Sequence, residues 1–399
     1  MDEHLRWPFF EHRHHELARD LRLWAERQFS AASTAGAGNV LGGALRAPAA
    51  QTDVDAMCRE LAKQLGARGW LKYCIPRSHG GAEDKLDVRS LCLCRETLAE
   101  FEPLADFVFA MQGLGAGPIS MFGTDAQKGR YLPGVGRGEK IAAFALSEPS
   151  AGSDVTAMQT TARRQSGGWV LDGEKTFISN AGIADFYIVF ARLPDERDRA
   201  FGAFVVEATA RGLDISERIE TLSPHPLGTV TLASCVVGDD SVVGPHGKGL
   251  RVALGTLDVF RSTVAAAALG FARRAMREAI THAKARNVFG KALAEHQITQ
   301  AKIAEMAMAI DASALLVYRA AWTRDTVSDR VTREAAMAKL FATEAAQRVI
   351  DDAVQLLGGR GVVAGSPVER LYREIRSLRI YEGTSEVQRL VIAGEVLGA

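Results

Sequence analysis

Apolar positions along the chain change their spacing twice. Over roughly the first 140 residues they recur at three- and four-residue intervals, as in Leu17, Leu21 and Trp24 and again in Met57, Leu61 and Leu65, the period of amphipathic helices. Two more helices are expected over about 88–100 and 107–122, with GWLKYCIP, Pro76 and the Gly80–Gly81 pair breaking the pattern ahead of them. The small-residue run AASTAGAGNVLGG at 31–43 can bury little surface and reads as a flexible loop.

From about Ala142 the period falls to two. The runs 169–171 and 175–178 flank Asp172-Gly173-Glu174, which predicts a hairpin because Asp-Gly suits a tight primed turn. Further strands are expected at 187–191, 201–207 and 230–237, so this stretch reads as an antiparallel all-β module that closes at about 243–249. After Gly249 long helical periods return over 250–282, 299–324 and 332–357, and long helices joined by short turns pack as an antiparallel bundle. The reading is an α+β chain of three domains: residues 1–141 helical, 142–246 a β-barrel domain, and 247–399 a four-helix bundle.

Composition narrows this picture. The chain has 399 residues, 47% hydrophobic and 24% charged, with 48 basic and 48 acidic side chains. Balanced charge gives no footprint for nucleic acid or a membrane surface, and the longest Ala-rich apolar stretch, 264–272, is flanked by Arg261, Arg273 and Arg274. The charged start lacks the apolar core of a signal peptide, so a cytoplasmic protein is expected. Five cysteines, with Cys92 and Cys94 one residue apart, fit neither a redox pair nor a zinc knuckle and read as thiols. His12, His14 and His15 lack a carboxylate or cysteine framework, so no metal is expected.

Five segments carry the chemistry: ALSEPSAGSD at 145–154, KTFISN at 175–180, RNVFG at 286–290, QLLGG at 355–359 and IYEGTSE at 380–386. The first is a Ser-, Pro- and Gly-rich turn whose backbone N–H groups can meet the polar edge of a planar cofactor. Arg286 and Phe289 offer a bidentate cation and a stacking face at a helix end marked by Gly290, and Gly358 and Gly359 follow a long helix as a C-cap would. In this order and at these intervals the segments resemble the acyl-CoA dehydrogenase family, over almost the whole chain and most densely from 142 to 394. The resemblance implies FAD, held on the β module by Phe144, Leu146, Ser147, Gly152, Ser153, Phe177, Ile178 and Ser179. It also implies flavin contacts at Thr384 and Glu386, and contacts to a neighbouring subunit's flavin from Arg286, Phe289, Gln297, Gln355, Gly358 and Gly359. A homodimer or tetramer follows.

The chemistry implied is removal of an α-proton and a β-hydride from an acyl-CoA thioester. So weak an acid needs a base whose pKa is raised by burial and a held enolate oxygen. In the resemblance the base is Glu382, its own backbone N–H helps hold the thioester carbonyl, and Gly383 lets the substrate approach. Relatives that carry the base elsewhere do so at the position of Phe260, which cannot act as one. Ser153, Asp258 and Arg261 match substrate-contacting positions, although Asp258 and Arg261 would equally form an i,i+3 salt bridge. Electron-transfer flavoprotein is the implied electron acceptor.

One departure stands out. Where the family commonly has a Met-Gly-x-Arg-Gly-Ser segment, this chain has LSPHPLG at 222–228, without the Arg and with two prolines, which bears on specificity or packing. The 31–43 insertion is a second departure. Three alternatives stay open: an acyl-carrier-protein thioester as substrate, told apart by turnover of one acyl group on both carriers; an oxidase using O2, revealed by stoichiometric peroxide; and an inactive helical relative, revealed by failure to take up FAD.

Overall fold

Each change of spacing marks a change of element in the computed structural model, which describes residues 3–30, 51–196 and 200–398. The loop expected at 31–43 lies outside the described residues. The first helical stretch forms α1 (His12–Ala25), α2 (Gln51–Ala67), α3 (Val88–Phe101), α4 (Pro103–Phe122) and α5 (Asp125–Gly136). Gly129, Pro133 and Gly134 hid α5 from the periodicity. Its start is fixed by a capping box: Thr124 Oγ1 accepts from the Gln127 N–H at 3.2 Å and Gln127 Oε1 from the Thr124 N–H at 2.9 Å.

The middle stretch is a curled sheet of β1 (Ala142–Ala145), β2 (Thr161–Gln165), β3 (Gly168–Ser179), β4 (Phe186–Arg192), β5 (Phe201–Glu207), β6 (Leu213–Arg218) and β7 (Leu227–Gly238). Its order is β1-β4-β2-β3-β7-β6, with β5 also on β4. Most pairings are antiparallel, as the alternation suggests, but β4 pairs in parallel with β1 and β2. The hairpin expected at Asp172–Gly173 is absent: both runs belong to the single strand β3. Gly173, at φ +146°, sits where β3 slips register against β7, and the Asp172 carboxylate accepts from the Ser234 N–H at 2.6 Å. Asp-Gly here makes a bulge that bends a long strand, and the tight turn falls instead at Ser166–Gly167, between β2 and β3.

The last stretch holds α6 (Gly249–Ala285), the two-stranded β8 (Asn287–Val288) and β9 (Lys291–Ala292), then α7 (Gln297–Thr326), α8 (Thr332–Leu357), α9 (Pro367–Leu378) and α10 (Ser385–Leu397). By length and composition α6 could cross a membrane, but 83% of its most apolar window is buried within the protein. The order of helices, sheet and helices is the architecture the spacing predicts.

By packing, the described chain falls into two units. Among the described residues, one comprises 3–30, 88–106 and 258–398, and the other comprises 51–87 and 107–257. In the first, every residue of α3 from Val88 to Glu100 is buried, charged ones included. Burying a charge is tolerable only when it is paired. Accordingly Arg89 meets Asp325 at 2.9 Å, Arg95 meets Asp106 at 2.8 Å, Glu96 meets Arg273 at 2.6 Å and Glu100 meets Arg22 at 2.7 Å. A Cβ on Gly270 would fall 2.2 Å from the Glu96 carbonyl oxygen, so α6 runs against α3 where only glycine fits. Within this unit α7 packs on α8, and α9 and α10 also pack on α8.

In the second unit the altered loop at 222–228 has a definite seat. The His225 ring stacks on Phe107 of α4, with centroids 4.3 Å apart and planes at 9°, and the Pro226 carbonyl accepts from the Asn180 N–H at 2.8 Å. A stacked imidazole and two prolines hold this loop in place of the missing Arg.

Candidate active site

Glu382 lies in the short connection between α9 and α10, which begins as α9 ends at Leu378 and closes where Thr384 caps α10 by accepting from the Val387 N–H at 3.3 Å. Glu382 and Gly383 are both left-handed, at φ +54° and +93°. Glycine does this freely, whereas a Glu there is strained and stays only because its surroundings fix it. Those surroundings are three donors on two carbonyls. The Glu382 carbonyl accepts from Arg261 Nε at 3.3 Å and Gln388 Nε2 at 3.0 Å; the Gly383 carbonyl accepts from Gln388 Nε2 at 3.0 Å and Lys339 Nζ at 2.8 Å.

The carboxylate itself is left unengaged. Oε2 is buried and has no hydrogen-bond partner among the described residues, and the Glu382 N–H donates to nothing there either. Burial pushes the Glu382 pKa up to about 7, against the pull of Arg95, Lys339 and Arg261. A carboxyl held in that range, without a partner, is suited to taking a proton near neutral pH. Arg95 cannot quench it by direct pairing, because Arg95 is bound to Asp106 at 2.8 Å through two nitrogens and to Thr263 at 3.2 Å.

Asp258 and Arg261 do form the i,i+3 pair, at 3.1 Å. Asp258 also accepts from Thr332 Oγ1 at 2.7 Å, and burial raises its pKa. Arg261 is thus shared between Asp258 and the Glu382 carbonyl, a support for the loop. Phe260 is 1% exposed, a core side chain.

Helix α6 ends at Ala285, with the Arg286 N–H still donating to the His282 carbonyl at 2.9 Å, and the rest of RNVFG folds as a hairpin rather than as a helix end marked by Gly290. Phe289 and Gly290, at φ +51° and +83°, are the two turn residues between β8 and β9, as a primed hairpin requires. The turn thrusts Phe289 outward, 95% exposed. Arg286 and Arg360 both depress the His282 pKa, after burial, so Arg286 and the Gly358–Gly359 turn beside Arg360 share one basic neighbourhood. Gly358, at φ +60°, caps α8, and a Cβ on Gly358 or Gly359 would meet no atom within 4 Å. Gln297 and Gln355 are exposed, as is Glu386; Thr384 is half-buried.

The β-module residues lie in the other unit. There Glu148 and Lys175 tie the first two segments together. Lys175, 0% exposed, donates to Glu148 Oε1 at 2.7 Å and to the Leu146 carbonyl at 3.1 Å. Glu148 Oε1 also accepts from the Thr160 N–H at 3.0 Å and Oε2 from the Gln159 N–H. Burial drives the Glu148 carboxyl up, but Lys175 and these donors bring it below its usual value. Leu146 and Ile178 are buried, 6% and 1% exposed. Phe144 packs on Phe190 at 4.9 Å and stays half-buried, with Ser147 and Ser179. Gly152 and Ser153 are exposed, and Phe177 is 63% exposed at φ +55°.

Sequence reasoning passed over Lys339 and Gln388, both 0% exposed. The signal for Lys339 was available: it interrupts the alanine stripe Ala335, Ala336, Ala338, Ala342, Ala345, Ala346 on the buried face of α8.

Comparison with known families matches residues 43–139, 143–235 and 247–397 to the N-terminal, middle and C-terminal domains of acyl-CoA dehydrogenase. The chain is 39% identical over 339 residues to the mitochondrial short-chain specific acyl-CoA dehydrogenase of Homo sapiens, covering 84% of this chain and 82% of that one. Butyryl-CoA dehydrogenase from Megasphaera elsdenii superposes with a TM-score of 0.87 at 32% identity, over 97% of this chain and 99% of that one. An acyl-CoA dehydrogenase from Bacillus anthracis complexed with FAD gives 0.86 at 30% identity, over 98% and 67%.

Proposed function

The chain belongs to the acyl-CoA dehydrogenase family, and from that premise we propose that it oxidises an acyl-CoA thioester to the 2-enoyl-CoA with Glu382 as the α-proton base. The observation that carries the choice of Glu382 is its buried, unpartnered Oε2 on a strained backbone, with a pKa of about 7. FAD is the cofactor, and its chemistry is to accept the β-hydride. The chain's exposed surfaces fit it: Phe177 and Phe289 present uncovered aromatic faces on positive-φ backbone, Gly152, Gly358 and Gly359 leave open space, and Arg286 and Arg360 suit a pyrophosphate.

In this reading Arg261, Gln388 and Lys339 hold the Glu382–Gly383 turn so that the carboxylate faces the α-carbon. Ionised Glu382 takes the proton and becomes neutral while negative charge develops on the thioester oxygen. The Glu382 N–H, which donates to nothing among the described residues, would support that oxygen. Electron-transfer flavoprotein would reoxidise the enzyme, as the family resemblance implies. The protein would act as a homo-oligomer, as the family resemblance implies, and exposed apolar side chains such as Phe289, Ile298 and Leu390 are available to such an interface.

The test is anaerobic titration of the FAD-loaded protein with straight, branched and cyclic acyl-CoAs. Bleaching of the flavin with formation of the 2-enoyl-CoA is expected for at least one of them. Bleaching by none, with the flavin bound, contradicts the reading.

A further inference from the structure

Lys339 is a buried ammonium with an unusual environment. It sits on the inward, alanine-lined face of α8, 0% exposed, and donates to the Gly383 carbonyl at 2.8 Å. No carboxylate lies within ion-pair distance of it among the described residues. A cation buried against a neutral carbonyl is poorly compensated, and a methionine would fill the same apolar stripe without that penalty. The nearest compensation is electrostatic and comes first from Glu382.

The remaining charges around the pair are committed elsewhere. Arg95, on α3, is neutralised by Asp106 at 2.8 Å. Arg261, on α6, is paired with Asp258 at 3.1 Å. Glu344, one turn beyond Lys339, is bound by Arg379 at 2.9 Å and Ser385, and Glu386 on α10 is solvent-exposed with Arg389 at 3.5 Å. Tyr381, beside the base, has its pKa raised by burial and carries no charge near neutrality. Lys339 and Glu382 are therefore left as the two unmatched charges of this neighbourhood.

We propose that Lys339 is the positioning residue of the base: it grips the Gly383 carbonyl to hold the left-handed turn, and its charge keeps Glu382 ionised before proton transfer. The inference rests on the dehydrogenase reading above and goes beyond it in assigning the base a dedicated, unpaired counter-charge. The arrangement suits the reaction. A direct ion pair would occupy the carboxylate oxygens and quench the base, whereas a cation bonded to the next residue's carbonyl supports the charge and leaves the oxygens bare. Burial lowers the Lys339 pKa to about 8. The cation persists through neutral pH, where Glu382 must be ionised.

The test compares the FAD-loaded wild type with Lys339→Gln, Lys339→Met and Lys339→Arg, following the pH dependence of anaerobic flavin reduction by the acyl-CoA that bleaches the wild type fastest. Removing the charge should move the acidic limb about half to one pH unit upward in the Gln and Met variants, whereas Arg should keep it in place. Gln can retain the donor to Gly383 and so should keep a higher plateau rate than Met. A readout independent of turnover is the infrared band of the protonated Glu382 carboxyl, identified by its loss in Glu382→Gln, which should titrate at the same displaced pH. A limb and band that stay at the wild-type pH, or loss of flavin from both charge-free variants, make Lys339 purely structural and overturn the proposal. If the wild type itself is bleached by no thioester, the dehydrogenase reading fails, an outcome distinct from an unmoved limb.

Discussion

Among the described residues, Lys175 and Lys339 are both 0% exposed and both drawn down to about 8 by burial, yet they meet carboxylates in opposite ways. In the β module Lys175 binds Glu148 directly at 2.7 Å, and two backbone N–H groups complete that carboxylate. The Glu148 pKa ends below its usual value. On α8, Lys339 binds a carbonyl instead, and the carboxylate that most supports its charge, Glu382, is left with a bare Oε2 and pushed up to about 7. The same two residue types thus make a pin in one place and, in the proposed reading, a base in the other. What decides is whether the carboxylate oxygens are satisfied: a saturated pair has no reactivity to offer, and an unsatisfied one holds its charge at a cost that chemistry can use.

The comparison breaks most visibly at the pin. Lys175→Met leaves Glu148 charged, buried and without its cation, and should destabilise the protein by about 3–5 kcal/mol. Adding Glu148→Gln should recover a large part of that loss, which thermal melting of the single and double variants would show. Lys339→Met strands no direct ion-pair partner and should melt much closer to the wild type. A next, smaller effect is on rate. With Glu382 near 7, flavin reduction should fall roughly tenfold per pH unit below that value and level off above it, because only the ionised base accepts a proton. A profile flat from pH 5 to 8 would contradict this.

The smallest effect is on stability. Glu382 has its folded pKa raised from the ordinary 4.5 to about 7. Between those values the native state binds more protons than the unfolded state, so this group's contribution to stability is full below 4.5 and is lost as pH rises to about 7. Glu382→Gln should therefore melt about 1–2 °C above the wild type at pH 8 and with it at pH 4. A variant less stable at pH 8 would mean that the carboxylate is engaged after all.

Much of the fold was legible because period reports burial. The spacing alone gives α8 its observed limits, Thr332–Leu357, and β5 its limits, Phe201–Glu207, each a long or uninterrupted pattern. Asp172–Gly173 signals a hairpin but forms a bulge, because a local turn signal cannot tell the two apart when partners on both edges of β3 decide. At the site, motif resemblance points to Glu382, and the structure adds its bare Oε2 and left-handed backbone. Positive φ at Glu382 is imposed by tertiary bonds and at Phe289 by its hairpin turn, and neither leaves a mark in a non-glycine residue. Lys339 did leave one, a lysine in an alanine stripe, which calls for a reason whenever helical phase puts it inward.

The central claim is that Glu382 is the base, and the most direct measurement is anaerobic flavin bleaching by acyl-CoA in the FAD-loaded Glu382→Gln variant. Glutamine keeps the side chain's size, so FAD and thioester should still bind, while the rate of bleaching should fall by about three orders of magnitude or more, as loss of a proton-transfer group entails. Bleaching at the wild-type rate in that variant would contradict the assignment.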